Sequence, residues 1–199
     1  METAPKTRRG RESRDRIVEH AAELIAEHGV DHFSLDDVRT AAGASKSQLY
    51  HYFSDRDALV EAAVARRCDE VHEQLTQAFA ALESIDELER RLEGFVVLYE
   101  QDFAGCPLGT IAVDVADYND GARREVATAF TAWGAIFADL FARLRDRGEL
   151  RSDADPARLG TALLAALEGG QLLSQTHRDA TPLRIAIAAA LGYARTFAA

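Results

Sequence analysis

Side chains that donate hydrogen bonds are concentrated in one short stretch of the chain. They are Lys46, Ser47, Gln48, Tyr50 and His51. A lysine and hydroxyl groups contact phosphate oxygens, and a glutamine side chain pairs with the edge of an adenine. None of the five is needed for packing, because Leu49 and Phe53 supply the inward-facing positions of a short helix. The chemistry that these side chains favour is therefore the reading of a DNA groove.

The flanking residues predict two helices joined by a tight turn. Ser34 and Asp37 are spaced as a capping box, which starts the first helix near Leu35. Gly43 supplies the permissive backbone at which this helix ends. Ser45 and Gln48 repeat the capping pattern and start the second helix almost at once. The pattern is typical of a helix-turn-helix, and its alternative is a surface helical hairpin with a solvated polar face.

Residues 40–64, TAAGASKSQLYHYFSDRDALVEAAV, resemble the recognition core and following helix of the TetR family of bacterial regulators. The resemblance implies that Ser45 opens the recognition helix and that residues 50–53 dock on the phosphate backbone before residues 54–56 open the fourth helix. Ala44, Ser47 and Gln48 depart from the usual family residues. The departures at Ser47 and Gln48 imply a different operator sequence and the same mode of binding. The predicted DNA-binding residues are Ser34, Ser45, Lys46, Ser47, Gln48, Tyr50, His51, Tyr52 and Arg56.

The composition predicts an all-α protein. Hydrophobic residues make up 47% of the 199 residues, prolines number only 4, and the apolar positions follow a helical period. We expect an N-terminal three-helix helix-turn-helix domain followed by a larger helical domain for ligand binding and dimerisation. The expected boundaries are a disordered basic tail at 1–10, the DNA-binding domain at 11–55 and the effector and dimerisation domain at 56–199. A helix from about Glu12 to His28 is expected to brace the two reading helices.

The net charge of -10 is unevenly distributed. The first 16 residues carry a net charge of +3, so the remainder carries -13. This basic N-terminus is consistent with a tail that follows DNA phosphates, and equally with a solvated tail of no function. Its basic residues are Lys6, Arg8, Arg9, Arg11, Arg14 and Arg16.

Other classes of protein are disfavoured. The N-terminus lacks the apolar core of a signal peptide, and the longest apolar run, 185–194, is too short to span a membrane. Cys68 and Cys106 are far apart in sequence, which fits a reducing cytoplasm and no disulfide framework. Gly29 lies at a helix end between His28 and His32, so the two histidines need not share a helical face, and no metal site is predicted. No cofactor or catalytic centre is predicted either.

Aromatic residues in the second half predict either a packed core or an apolar cavity. The segments GCPLG (105–109) and LEGG (167–170) resemble a TetR branch that includes regulators of lincomycin resistance and of flavonoid degradation. That resemblance favours a ligand cavity. Cys106 is interpreted as a packing or pocket residue, with a redox sensor as the alternative, and Glu168 either orients a ligand or satisfies local donors. The predicted ligand-binding residues are Phe95, Tyr99, Phe103, Cys106, Phe130, Trp133, Phe137, Gln171 and Gln175.

Two alanine-rich helices are predicted at the C-terminus, over 156–175 and 182–197. The TetR resemblance implies that they pair with the same helices of a second copy in a four-helix dimer interface, and intramolecular packing is the alternative. The predicted interface residues are Leu159, Leu163, Leu167, Leu183, Ile187 and Leu191.

Together these features predict a homodimeric, ligand-responsive repressor whose partners are an operator DNA duplex and a small, fairly apolar effector. Effector binding is expected to tilt the fourth helix and to change the spacing of the recognition helices. The alternatives are a helical small-molecule-binding protein or enzyme without operator binding, and a redox-switched regulator that senses through Cys106.

Overall fold

The computed structural model describes residues 7–32, 34–117 and 119–199. The predicted all-α class is confirmed: the described residues form α-helices, one 3-10 turn at Val30–His32 and an isolated bridge between Leu150 and Ala198. The helices are α1 (Arg8–His28), α2 (Leu35–Ala41), α3 (Lys46–Tyr52), α4 (Arg56–Phe79), α5 (Ile85–Tyr99), α6 (Pro107–Val115), α7 (Asp120–Asp146), α8 (Pro156–His177) and α9 (Thr181–Arg195).

The chain divides into two compact units, and the division differs from the predicted domain boundaries. Among the described residues, the first unit comprises 7–32, 34–70, 110–117 and 119–128, and the second comprises 71–109 and 129–199. The first half of α4, most of α6 and the start of α7 therefore cluster with the helix-turn-helix. The sequence placed them in the second domain because the apolar pattern of α4 continues without interruption.

In the first unit, α1 supports the two short helices of the helix-turn-helix. Ile17, Ala21 and Ile25 of α1 are buried, as are Leu49 and Phe53, which the sequence placed inward. The Arg16 Nε donates a hydrogen bond of 2.9 Å to the Ala42 carbonyl oxygen. This bond ties the turn between α2 and α3 directly to α1.

The first helix begins earlier than predicted. Thr7 caps α1 by accepting a hydrogen bond from the Gly10 amide at 3.1 Å. Arg8 to Gly10 are therefore helical, so this part of the predicted disordered tail at 1–10 is wrong, because the Thr7 cap was overlooked. Residues 1–6 of that tail lie outside the described residues.

In the second unit, α5, the later part of α7, α8 and α9 share one apolar core. Leu88 and Leu92 of α5, Phe137 and Leu140 of α7, and Leu163 of α8 are almost completely buried. The α6 helix begins at Pro107, within the GCPLG segment. Proline is tolerated at the first position of a helix, where its missing amide has no intrahelical partner to bond.

The α7 helix is long and apolar enough to cross a membrane, judged by length and composition. The sequence prediction that no segment reaches that length is therefore wrong. The buried side chains Phe137, Leu140, Phe141 and Leu144 belong to the core of the second unit. We therefore identify α7 as a core helix.

Candidate functional sites

Both short helices of the helix-turn-helix are held by capping boxes. The Ser34 hydroxyl accepts from the Asp37 amide at 3.2 Å, and the Asp37 carboxylate accepts from the Ser34 amide at 3.0 Å. Ser45 and Gln48 repeat this exchange at 3.1 and 2.8 Å. Gly43 adopts a φ of 60° between the two helices, a left-handed conformation that favours glycine. The turn and both helix starts are therefore fixed by local sequence.

The outer face of α3 presents the predicted DNA-reading residues to solvent. Lys46, Ser47 and Gln48 are exposed, as is His51, and the Tyr50 side chain is 50% exposed. The Lys46 ammonium lies 6.0 Å from the centre of the Tyr50 ring, so the two side chains share one patch. The Gln48 Oε1 already accepts from the Ser45 amide. A bidentate contact between Gln48 and an adenine must therefore share that oxygen with the cap.

Two residues that the family resemblance added to the DNA-binding set have structural roles. Tyr52 is buried, and its ring lies 5.1 Å from that of His51 in an edge-on arrangement. Arg56 donates to the Val30 carbonyl oxygen, which joins the start of α4 to the turn after α1.

A cleft of about 500 Å³ lies between the start of α1 and α3. The Ser13 hydroxyl is buried in its wall and has no hydrogen-bond partner in the described part of the chain. Two arginines of the basic N-terminus have different surroundings. Arg14 lies over the Phe53 ring at 5.2 Å, whereas Arg9 lines the cleft. The lining residues are Thr7, Arg9, Gly10, Glu12, Ser13, Arg16, Gln48 and Tyr52.

Residues from α6 and the start of α7 hold the helix-turn-helix unit together, and the sequence analysis missed them. The Asp114 carboxylate accepts from the Val30 amide at 3.2 Å. The Asn119 side chain donates to the Asp57 carbonyl oxygen at 3.3 Å and accepts from the Ala122 amide at 2.9 Å. The feature of the sequence that could have indicated the Asp114 contact is that Asp114 is a lone carboxylate within the apolar run of α6.

The second unit contains an apolar cavity of about 740 Å³. This volume lies within the range of small-molecule binding sites. Its walls come from α4, α5, the start of α6, α7 and α8. The lining residues are Val71, Gln74, Leu75, Ala78, Phe79, Leu82, Glu87, Arg90, Arg91, Leu92, Gly94, Phe95, Leu98, Cys106, Pro107, Trp133, Phe137, Leu164, Leu167, Glu168 and Gln171.

The cavity wall includes only part of the predicted ligand-binding set. Phe95, Cys106, Trp133, Phe137 and Gln171 line it. The other four predicted residues have contacts in the surrounding fold and are absent from the wall: Tyr99, Phe103, Phe130 and Gln175.

The four absent residues have structural partners instead. The Tyr99 hydroxyl donates to the Gln171 carbonyl oxygen at 2.8 Å, and Phe103 stacks edge-on against Tyr99. Phe130 packs edge-on against Trp133, and the Gln175 amide donates to the Ala104 carbonyl oxygen at 3.4 Å. Helical periodicity placed these residues on the right helices and could not give the direction of each side chain.

A thiol and a carboxyl group lie together in the cavity wall. The Cys106 thiol hydrogen-bonds the Glu168 side chain. Burial, with a smaller contribution from the nearby Glu168, raises the pKa of Cys106 to about 12. Burial also raises the pKa of Glu168, against a smaller lowering by Cys106. Burial therefore disfavours the charged form of both groups, and the shift of Cys106 is unfavourable for thiolate chemistry.

The raised pKa of Glu168 predicts a pH-dependent effect of Glu168→Gln on stability. The folded protein retains the Glu168 proton at pH values where the unfolded chain, with its ordinary pKa of 4.5, has lost it. This contribution to stability is therefore lost as the pH rises through the raised pKa, and glutamine does not have that loss. We expect the melting temperature of the variant, relative to wild type, to be higher at pH 8 than at pH 5. Glu73→Gln, at an exposed position of α4, is the control, and an equal shift in both variants would contradict the assignment.

The predicted dimer-interface residues lie inside the chain's own core. Leu159, Leu163, Leu167, Leu183, Ile187 and Leu191 are all buried between helices of the second unit. This part of the prediction is wrong, and the alternative of intramolecular packing is right for these six residues. The α8 and α9 helices are apolar on two faces, and the more apolar face packs inward. Their outward face carries Leu172, Leu173 and Ile185, which are 63%, 52% and 63% exposed.

No group of three or more His, Cys, Asp or Glu side chains suited to a metal ion occurs in residues 7–32, 34–117 and 119–199. The free thiols of Cys68 and Cys106 are both buried.

Sequence and structure comparisons agree on one family. Residues 17–63 match bacterial regulatory proteins of the tetR family, and residues 81–189 match the C-terminal domain of LmrA/YxaF-like transcriptional regulators. An HTH-type transcriptional regulator of Mycobacterium tuberculosis strain H37Rv is 32% identical over 175 residues, which cover 85% of this chain and 88% of that protein.

Two further relatives extend the likeness. The HTH-type transcriptional regulator LmrA of Bacillus subtilis is 27% identical over 180 residues, covering 86% of this chain and 91% of that protein. The crystal structure of a TetR-family regulator from Cytophaga hutchinsonii has a TM-score of 0.78 at 19% identity, covering 98% of each chain. The likeness to the Cytophaga hutchinsonii structure shows a shared fold.

Proposed function

We propose that this chain, which belongs to the TetR family of bacterial regulators, is a cytoplasmic homodimeric repressor that a small-molecule effector releases from a palindromic operator. It is a DNA-binding transcriptional regulator, and its family is not enzymatic. The observation that carries the proposal is the exposed polar face of α3, a helix whose start is fixed by its own capping box and by the turn after the capped helix α2.

The proposed DNA contacts are divided between groove and backbone. Lys46, Gln48 and Tyr50 reach base edges and adjacent phosphates from α3. Arg9 and the buried Ser13 hydroxyl offer donors to a further phosphate in the cleft beside α3. Contacts of this kind make affinity fall steeply with salt.

We propose that dimerisation uses the outward face of α8 and α9. A two-fold dimer is required to place two recognition helices in half-sites about 34–36 Å apart. Leu172, Leu173 and Ile185 supply exposed apolar surface, and the exposed Gly169 and Ala188 allow two helix pairs to approach closely. This surface replaces the six buried residues that the sequence favoured.

Ile185→Glu tests the dimer and its role together. A charge introduced at this position would be buried without a partner in the proposed interface, so we expect the molecular mass in solution to fall from two chains to one. Operator affinity should fall with it. Val113→Glu is the matched control, because Val113 is 78% exposed and lies on α6. An Ile185→Glu protein that remains a dimer would contradict the proposed surface.

The proposed effector site is the cavity of the second unit. Cavity walls include the later part of α4 and the first residue of α6, Pro107. The same two helices continue into the first unit, where Arg56 of α4 and Asp114 of α6 bind the backbone of Val30. We propose that an effector displaces α4 and α6 and thereby changes the spacing of the recognition helices, which requires a coupling of about 1–3 kcal/mol.

The redox-switched alternative is disfavoured by the chemistry of Cys106. A thiol whose pKa is raised to about 12 has little thiolate at neutral pH, and the thiolate is the species that oxidants attack. Small-molecule binding is therefore the better-supported trigger.

A further inference from the structure

Two polar groups in the cavity wall have hydrogen-bonding capacity that the protein leaves unused. The indole of Trp133 is 3% exposed, and its Nε1 has no hydrogen-bond partner among the described residues. A buried N–H without an acceptor is unfavourable, so this indole would gain from a ligand that also carries a hydrogen-bond acceptor.

The second group is Glu168, the acidic residue that α8 contributes to the cavity. Among the described residues, the Cys106 thiol hydrogen-bonds the Glu168 carboxyl group, and no cationic side chain lowers the pKa of that group. Burial therefore raises the pKa of this carboxyl group without an opposing positive charge. An incoming cation would supply the missing partner.

Aromatic rings surround the same space. Phe95, Trp133 and Phe137 all line the cavity, and the faces of aromatic rings attract organic cations. The remaining wall is mainly aliphatic, so the ligand must also be apolar over most of its surface.

We propose that the effector is a lipophilic organic amine that enters as a cation, donates an N–H to the Glu168 carboxylate and packs against the aromatic wall. This inference rests on the proposed role of the cavity as the effector site. Arg90 and Arg91 also line the cavity, from exposed positions on α5, where solvent and salt screen their charge. If these two arginines governed binding instead, the cavity would prefer anionic ligands, and that result would oppose the proposal.

Three tricyclic probes of similar shape test the charge preference directly. At pH 8, 9-aminoacridine is a cation, acridine is neutral and anthracene-9-carboxylate is an anion. Binding to the dimer is measured by calorimetry and by quenching of Trp133 fluorescence, which reports on the cavity because the chain has a single tryptophan. We expect 9-aminoacridine to bind at least about tenfold more tightly than acridine, because a charge-assisted hydrogen bond forms only with the cation.

Glu168→Gln and Glu87→Gln distinguish a direct contact between the ligand and Glu168 from a general effect of negative charge in the cavity wall. Both remove one negative charge from the lining, but Glu87 is already used as an acceptor for the Glu83 amide. We expect Glu168→Gln to weaken 9-aminoacridine binding about tenfold without changing acridine binding, and Glu87→Gln to change neither. Equal losses in the two variants, tightest binding of the anion, or no binding of any probe would overturn the proposal.

Operator binding by the same proteins distinguishes this proposal from the proposed function. Wild-type protein that binds an operator and shows no cation preference would overturn the effector class alone. A cation preference in a protein that binds no operator would overturn the regulatory function alone.

Discussion

Gly160→Ala is expected to destabilise the protein by about 3 kcal/mol, because the backbone of α7 leaves no room for a methyl group at this glycine of α8. A methyl group at residue 160 would lie 2.6 Å from the Ala138 amide nitrogen and 2.7 Å from the Gly134 carbonyl oxygen. Both are backbone atoms of α7 and have no rotamer by which to move away. Chemical denaturation of the wild-type and variant proteins at equal concentration measures the difference.

Gly94→Ala is the matched control for this prediction. Gly94 lies within α5, and no atom lies within 4 Å of a methyl group placed there. Alanine is the better helix former, so this variant should be as stable as wild type or more stable by up to about 1 kcal/mol. Equal stability of the two variants would contradict the close contact between α7 and α8.

Tyr50→Ala is expected to lower operator affinity by about tenfold or more while leaving the fold and the dimer intact. The Tyr50 side chain is 50% exposed, and its ring lies beside Lys46 on the outer face of α3. Its removal therefore eliminates a surface for DNA without opening the buried core around Leu49 and Phe53. Titration of an operator duplex, with the melting temperature and the solution mass of the same protein, measures both effects.

Lys46→Ala provides a comparison on the same face. If Lys46 binds a phosphate, its variant should bind every duplex more weakly and should reduce the slope of affinity against salt by about one counterion. The Tyr50→Ala variant should retain the wild-type slope if the ring contacts bases. Loss of the dimer in either variant would show that the residue supports the fold, against its exposed position.

The helix-turn-helix was predictable from sequence because its determinants are local. Ser34 with Asp37, and Ser45 with Gln48, are three residues apart and form the predicted capping boxes. The start of α4 was less specific. Residues 54–56 were expected to open this helix, and among them the Asp55 carboxylate accepts the Ala58 amide hydrogen at 2.8 Å. Ser54 and Asp55 are adjacent residues that can both cap a helix, and spacing alone cannot rank them.

The cavity and the dimer surface were less predictable because they depend on side-chain direction. The Tyr99 hydroxyl bonds a carbonyl oxygen 72 residues away in sequence, a pairing that no local pattern reveals. Similarly, α8 has two apolar faces, and Leu163 packs inward while Leu172 faces outward. Periodicity identifies such faces, and only the packed fold assigns each of them to the core or to the surface.

The most direct test of the proposed regulator is the selection of bound duplexes from a random DNA pool at a fixed moderate salt concentration. The wild-type dimer is expected to enrich an inverted repeat whose half-site centres lie about 34–36 Å apart, and Tyr50→Ala should not enrich it. Failure of the wild-type protein to enrich any repeat, or the same enrichment by the variant, would contradict operator reading by α3.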